Sequence, residues 1–305
     1  MDIPRIVNSK TNSCTANNNF DNLSINDLLE NIRLLLDYIL SQKMNKVKRK
    51  SINSRGGKDH FFIEEIIGNL AIYLNPKYLF KEYRKQLDTT KINKFNLQKY
   101  WDLLSNIQYA WQKILKYKLY FKEFYPSSNK IEKFEALNHH IQAYLQDMTI
   151  FKNKIEVFLG VLKNDTKKMA TNKVEVVDFF KAKIQKTKEV FESVSKYRDP
   201  HTHKGKRFLD GDLLKAENDY NAIAIFQNFF TTTLNPKYKV EFIKKLKKRK
   251  EESFESAKLR WVKMARKNDE QTSGYLNMLL KGIRPSLYQF LKIKSVKETI
   301  DLFKK

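Results

Sequence analysis

Arg198, Asp199, Pro200, His201, Thr202 and His203 place a guanidinium, a carboxylate and two imidazoles within six consecutive residues. An imidazole with a pKa near ~6.5 can accept or release a proton at neutral pH. A guanidinium can grip two phosphate oxygens with parallel hydrogen bonds, and a carboxylate can orient either partner. Such groups can move a proton and bind a phosphate. The roles that follow are acid or base for His203, phosphate clamp for Arg198 and orienter for Asp199, with His201 as an auxiliary base.

The element that delivers these residues is a helix predicted over Val174 to Tyr197, with Phe180, Ile184, Phe191 and Val194 along its apolar face. Pro200 has no amide hydrogen and disfavours the α conformation at Asp199, so the helix must stop and a polar loop, Arg198 to Asp210, must begin. On an uninterrupted helix Arg198 and His203 would lie about 140° apart and could not address one phosphate. Either the break folds them together or a twofold dimer supplies one copy of the motif from each chain, which makes a homodimer the expected state.

An arginine, a polar Asn, Asp or His directly after it, and a histidine beyond four to six intervening residues resembles the signature of the HEPN superfamily. Arg198, Asp199 and His203 match the three positions in turn, across a region from Lys130 to Leu234. The resemblance implies a dimerising helical bundle. It also implies a metal-independent endoribonuclease of the toxin-antitoxin or phage-defence kind, with RNA as substrate and an antitoxin or defence protein as partner. Its reaction would be attack of an RNA 2′-hydroxyl on the neighbouring phosphate, which needs a proton acceptor at the nucleophile, a donor at the leaving 5′-oxygen and positive charge on the phosphorane. Independently, a single cysteine and an N-terminus without an apolar leader make the cytoplasm the expected compartment. Pro200 departs from the common form. Arg55 and His60 repeat the spacing, but Gly56 stands where the polar residue is required.

Other readings compete. Arg198 can cap the carbonyls of its own helix. His201, His203, Asp210 and Asp212 carry ligand types that suit zinc or manganese, although no metal or cofactor is expected. His139 and His140 sit in an apolar-rich helix and read as boundary histidines. Lys58 beside Gly56 and Gly57 lacks the spacing of a phosphate loop.

The whole chain is basic: 59 Lys and Arg against 34 Asp and Glu in 305 residues, a formal charge of +25. A polyanion is therefore the default partner. Lys204, Lys206 and Arg207 behind the motif, and Lys247, Lys248 and Arg249 in the run from Lys244 to Lys250, are the expected RNA contacts. The alternative function is a non-catalytic basic helical module that binds nucleic acid or a partner protein. Cys14 is the sole cysteine, so an internal disulfide cannot form. The longest apolar runs, Ile66 to Leu74 and Val157 to Leu162, fall short of the ~20 residues a membrane span needs.

Apolar spacing is helical throughout, and the expected fold is an all-α multi-helix bundle, a HEPN-like core with additional N- and C-terminal helices. Residues 1–23, rich in Asn, Ser and Thr, read as disordered. A first helix is expected from Ser24 or Asn26 to about Ile39, then helices over His60 to Leu74, Tyr78 to Leu87, Leu97 to Tyr125, Lys130 to Leu162, Val174 to Tyr197 and Leu213 to Thr231. A long helix after Pro236 and two shorter ones end the chain. The expected division is an N-terminal lobe at 24–128, the HEPN-like core at 129–234 and a basic region at 235–305.

Overall fold

The computed structural model describes residues 62–76, 92–127, 130–194, 210–228 and 236–294. Seven helices are delimited there: α1 (Phe62–Leu74), α2 (Lys94–Leu115), α3 (Tyr117–Glu123), α4 (Lys133–Met169), α5 (Lys173–Val190), α6 (Gly211–Asn228) and α7 (Pro236–Leu291). The described residues contain no strand, and the fold is an all-α multi-helix bundle. No described helix is long and apolar enough to cross a membrane. The helices expected at Ser24 to Ile39 and Tyr78 to Leu87 lie outside the described residues.

Local sequence sets the helix boundaries. Asn93 and Asn172 accept hydrogen bonds from the amides of Asn96 and Glu175, capping α2 and α5. Glu132 and Glu135 form a reciprocal capping box at the start of α4. Several boundaries differ from the sequence reading. Helices α2 and α3 are separated at Lys116, where a single tightened turn interrupts the ladder. Helix α4 continues two turns past Leu162 because Asp165 is drawn inward to Lys99 and Tyr100. The long C-terminal helix runs unbroken for 56 residues, from Pro236 to Leu291, with Pro285 inside it, and residues 295–305 lie outside the described residues. Proline costs the helix an amide donor, but Pro285 and Lys281, whose carbonyl loses that donor, are both exposed, so water can serve it. Buried Ile283, Leu287, Tyr288 and Leu291 hold the helix on course.

At 1.5 Å per residue α7 is about 84 Å long, and it touches all six other helices. Its inward stripe begins at Phe254 and continues through Ala257, Trp261, Ala265, Leu276, Leu280 and Ile283. One hydrophobic cluster extends from Ile63 to Ile293 and takes side chains from all seven helices. Phe151, Ile155, Phe158 and Leu162, the stripe expected of α4, are all within it.

Carboxylates line the seams of this core. Asp165 accepts hydrogen bonds from Lys99 (2.7 Å) and Tyr100 (3.0 Å). Asp147 accepts from Lys113 (2.9 Å) and Tyr117. Burial opposes ionisation of Asp165, yet its bonds to Lys99 and Tyr100 hold the carboxyl below the usual range. Burial, then the same carboxylates, pushes the Tyr100 and Tyr117 phenols far above theirs. Asp269 on α7 differs: it is 7 % exposed, its nearest cation is Lys118 at 3.7 Å, and burial pushes its carboxyl up to about 6.

Candidate functional site

Helix α5 approaches the motif along α7. The Thr187 hydroxyl is paired with the Tyr275 hydroxyl, and the Lys183 ammonium comes close to Gly282, so the two helices run antiparallel. Phe191 then breaks the regular helix, packing edge-on against Phe151 and Tyr275 at 5.7 and 6.5 Å between ring centres. Residues 192–194 are again helical and Val194 is buried. The described chain stops here, four residues before Arg198. Arg198, Asp199, His201, His203, Lys204, Lys206 and Arg207 all lie outside the described residues.

Description resumes at Asp210, which is the N-cap of α6. Its carboxylate accepts from the Asp212 amide (3.0 Å) and its carbonyl accepts from the Leu214 amide (2.9 Å). The same carboxylate accepts from the Trp261 indole (2.9 Å) and pairs with Arg260. Arg260 is forked, since its other terminal nitrogen reaches Asp212 at 3.0 Å. Ser256 above all, with Lys215 and Arg260, holds the Asp212 carboxyl below the usual range. Trp261 is itself core, tilted against Phe121. The segment bearing the motif is therefore bounded on one side by Phe191 and Val194 and on the other by Asp210. Phe191 meets α7 at Tyr275 and Asp210 meets it at Arg260 and Trp261, about four turns apart along that helix.

These anchors were not evident from the sequence. Asp210 and Asp212 drew attention as metal ligands beside His201 and His203, whereas both carboxylates are engaged by Arg260, Trp261, Ser256 and Lys215. The signal was an N-cap Asp followed by an acidic first turn; its partners, some 50 residues downstream, carried no mark. Among the described residues no group of three or more His, Cys, Asp or Glu side chains could hold a metal ion. His140 lies at a boundary as expected. Its Nε2 is 2.8 Å from the Phe124 carbonyl, and its ring sits among Tyr120, Phe124 and Tyr125.

The basic run on α7 separates into two kinds of residue. Arg249 is bound to Asp219 of α6 through two nitrogens, one at 2.8 Å, and Lys250 to Glu132 at 2.9 Å, so both brace the fold. Lys245 and Lys248 make only exposed pairs within the helix, to Glu241 and Glu252. Lys244 and Lys247 are exposed and have no ion pair among the described residues.

Fold and surroundings thus define an all-α bundle that carries a polar segment and a basic helix. No family model, curated protein or solved structure matches this chain.

Proposed function

We propose that the protein is a metal-independent endoribonuclease, a toxin or phage-defence effector with a HEPN-type centre formed by Arg198, Asp199 and His203. The observation that carries this reading is the motif itself, an arginine with its adjacent carboxylate and a spaced histidine directly after an amphipathic helix of an all-α bundle. The anchoring of Asp210 to Arg260 and Trp261 supports it, because proton transfer requires groups held by a rigid scaffold.

In this mechanism a histidine takes the proton of the 2′-hydroxyl as its oxygen bonds to phosphorus. The bond from phosphorus to the 5′-oxygen breaks, and that oxygen leaves with a proton from a second acid. The products are a 2′,3′-cyclic phosphate and a 5′-hydroxyl end. Arg198 neutralises the phosphorane, and Asp199 orients the arginine or histidine. One essential histidine per chain makes a homodimer the natural source of both acid and base.

The test is cleavage of RNA by the full-length protein in excess EDTA. Cyclic phosphate ends and a loss of about 10² to 10⁴ in rate for His203→Ala at unchanged melting temperature are expected. Cleavage that needs added divalent metal, or full activity in His203→Ala, overturns the proposal.

A further inference from the structure

The outer end of the α6–α7 hairpin is built unlike the rest of the molecule. Helix α7 meets α4 at Lys250 and Glu251, through Glu132 and Lys133, and its continuous core stripe starts at Phe254. Before that point the described contacts of α7 with other helices are with α6: Lys239 to the Gln227 carbonyl, Phe242 on the Phe226 ring and Arg249 on Asp219. Ile223 and Leu246 are buried between the two helices but stand apart from the main hydrophobic cluster. About 20 Å of helix pair thus forms an arm beyond the bundle.

Eight of the fifteen residues from Pro236 to Lys250 are Lys or Arg, and Glu241 is the only acid. Lys237, Lys244 and Lys248 fall within about 40° of one another around the helix, at intervals of about 10 and 6 Å along it. Tyr238 is 69 % exposed and lies about 100° round the helix from Lys237, whereas Phe242 turns toward Phe226 of α6; Lys247, Lys244 and Tyr238 follow one another at about 60° and 120°, an oblique path across the arm.

We infer that this arm binds single-stranded nucleic acid, with Lys244 and Lys247 on backbone phosphates and Tyr238 stacking on a base. Cations on one side of the helix and an exposed ring further round it suit an unpaired strand that crosses the arm obliquely, because unpaired bases offer faces to stack on and a duplex does not. The rings lie among cations instead of forming the continuous apolar face that a membrane surface takes up. The arm shares the RNA substrate of the proposed activity but does not depend on cleavage.

Binding of the full-length protein to a fluorescent 2′-O-methyl RNA strand, followed by anisotropy in EDTA, separates the two ideas, since that strand has no 2′-hydroxyl nucleophile. Lys244→Glu with Lys247→Glu is expected to weaken binding more than tenfold and to lower the log–log salt slope by about 1.4, at ~0.7 per phosphate contact. Tyr238→Ala should cost about tenfold. Lys281→Glu, an exposed reversal at the far end of α7, should stay within about twofold. The inference fails if Lys281→Glu weakens binding as much as the arm reversals, or if Tyr238→Ala is silent. It also fails if duplex RNA or anionic phosphatidylserine vesicles bind as tightly as the single strand. Normal arm binding with no cleavage of ordinary RNA would sink the nuclease proposal alone.

Discussion

The two ends of α7 treat charge in opposite ways. From Phe254 onward the helix is embedded, and acidic groups are taken inside: Asp269 is buried on α7, and Asp147 and Asp165 line the neighbouring seams. Lysines Lys99, Lys113 and Lys118 serve these carboxylates, so part of the positive surplus is structural. From Lys237 to Lys248 the arrangement reverses, with cations outside and few acids near them. Net charge alone cannot separate the two populations. Among the described residues, a run of cations without buried partners lies where α7 has only α6 for company, and this is the part of the surplus that the inferred nucleic-acid binding uses.

The largest effect should come from breaking the embedded end. Trp261 is 1 % exposed, packs on Phe121 and donates to Asp210. Trp261→Ala is expected to cost about 3–5 kcal/mol in chemical denaturation. A loss under about 1 kcal/mol would show that α7 is not the spine of the bundle.

The next effect is a gain, and it depends on pH. Burial keeps the Asp269 proton bound up to about pH 6, above the ordinary 3.8, so ionisation costs more in the fold than in the unfolded chain. Its contribution is complete below about pH 4 and is lost as pH rises through 6. The loss is worth up to about 3 kcal/mol at 1.36 kcal/mol per pH unit. Asp269→Asn should therefore melt higher than wild type at pH 8, and the difference should close by about pH 4. Lower stability of Asp269→Asn at pH 8 would mean that Lys118 outweighs desolvation.

Much of the bundle was legible in the sequence, and the reason is periodicity. The α4 stripe of Phe151, Ile155, Phe158 and Leu162 and the break at Asn75 and Pro76 both depend on neighbours a few residues apart. The acidic seam was not legible. Asp165 looks like any solvated helix residue until the fold brings Lys99, 66 positions away, to 2.7 Å. Pro285 shows the converse, since a local stop signal is overridden by burial on both sides of it. The chemistry proposed for Arg198 to His203 rests on residue types and a motif resemblance, and those residues lie outside the described ones. The anchor from Asp210 to Arg260 and Trp261 was not legible, because it joins segments about 50 residues apart.

Arg249 sharpens the contrast at its boundary, with the smallest effect of the three. Its sequence context groups it with Lys247 and Lys248 as an RNA contact, yet its guanidinium is held by Asp219, which is 3 % exposed. Removing the guanidinium strands a buried carboxylate. The arginine itself is largely exposed, so water recovers part of the loss, and Arg249→Ala is expected to lower the melting temperature modestly. Arg249→Lys should recover only part of this, because an ammonium cannot reproduce the two-nitrogen grip. On the nucleic acid the order inverts: Arg249→Ala should weaken binding less than the paired reversal of Lys244 and Lys247, while those reversals leave the melting temperature nearly unchanged. Equal effects on both measurements for all three residues would erase the distinction between brace and contact, and the basic run would then be one surface.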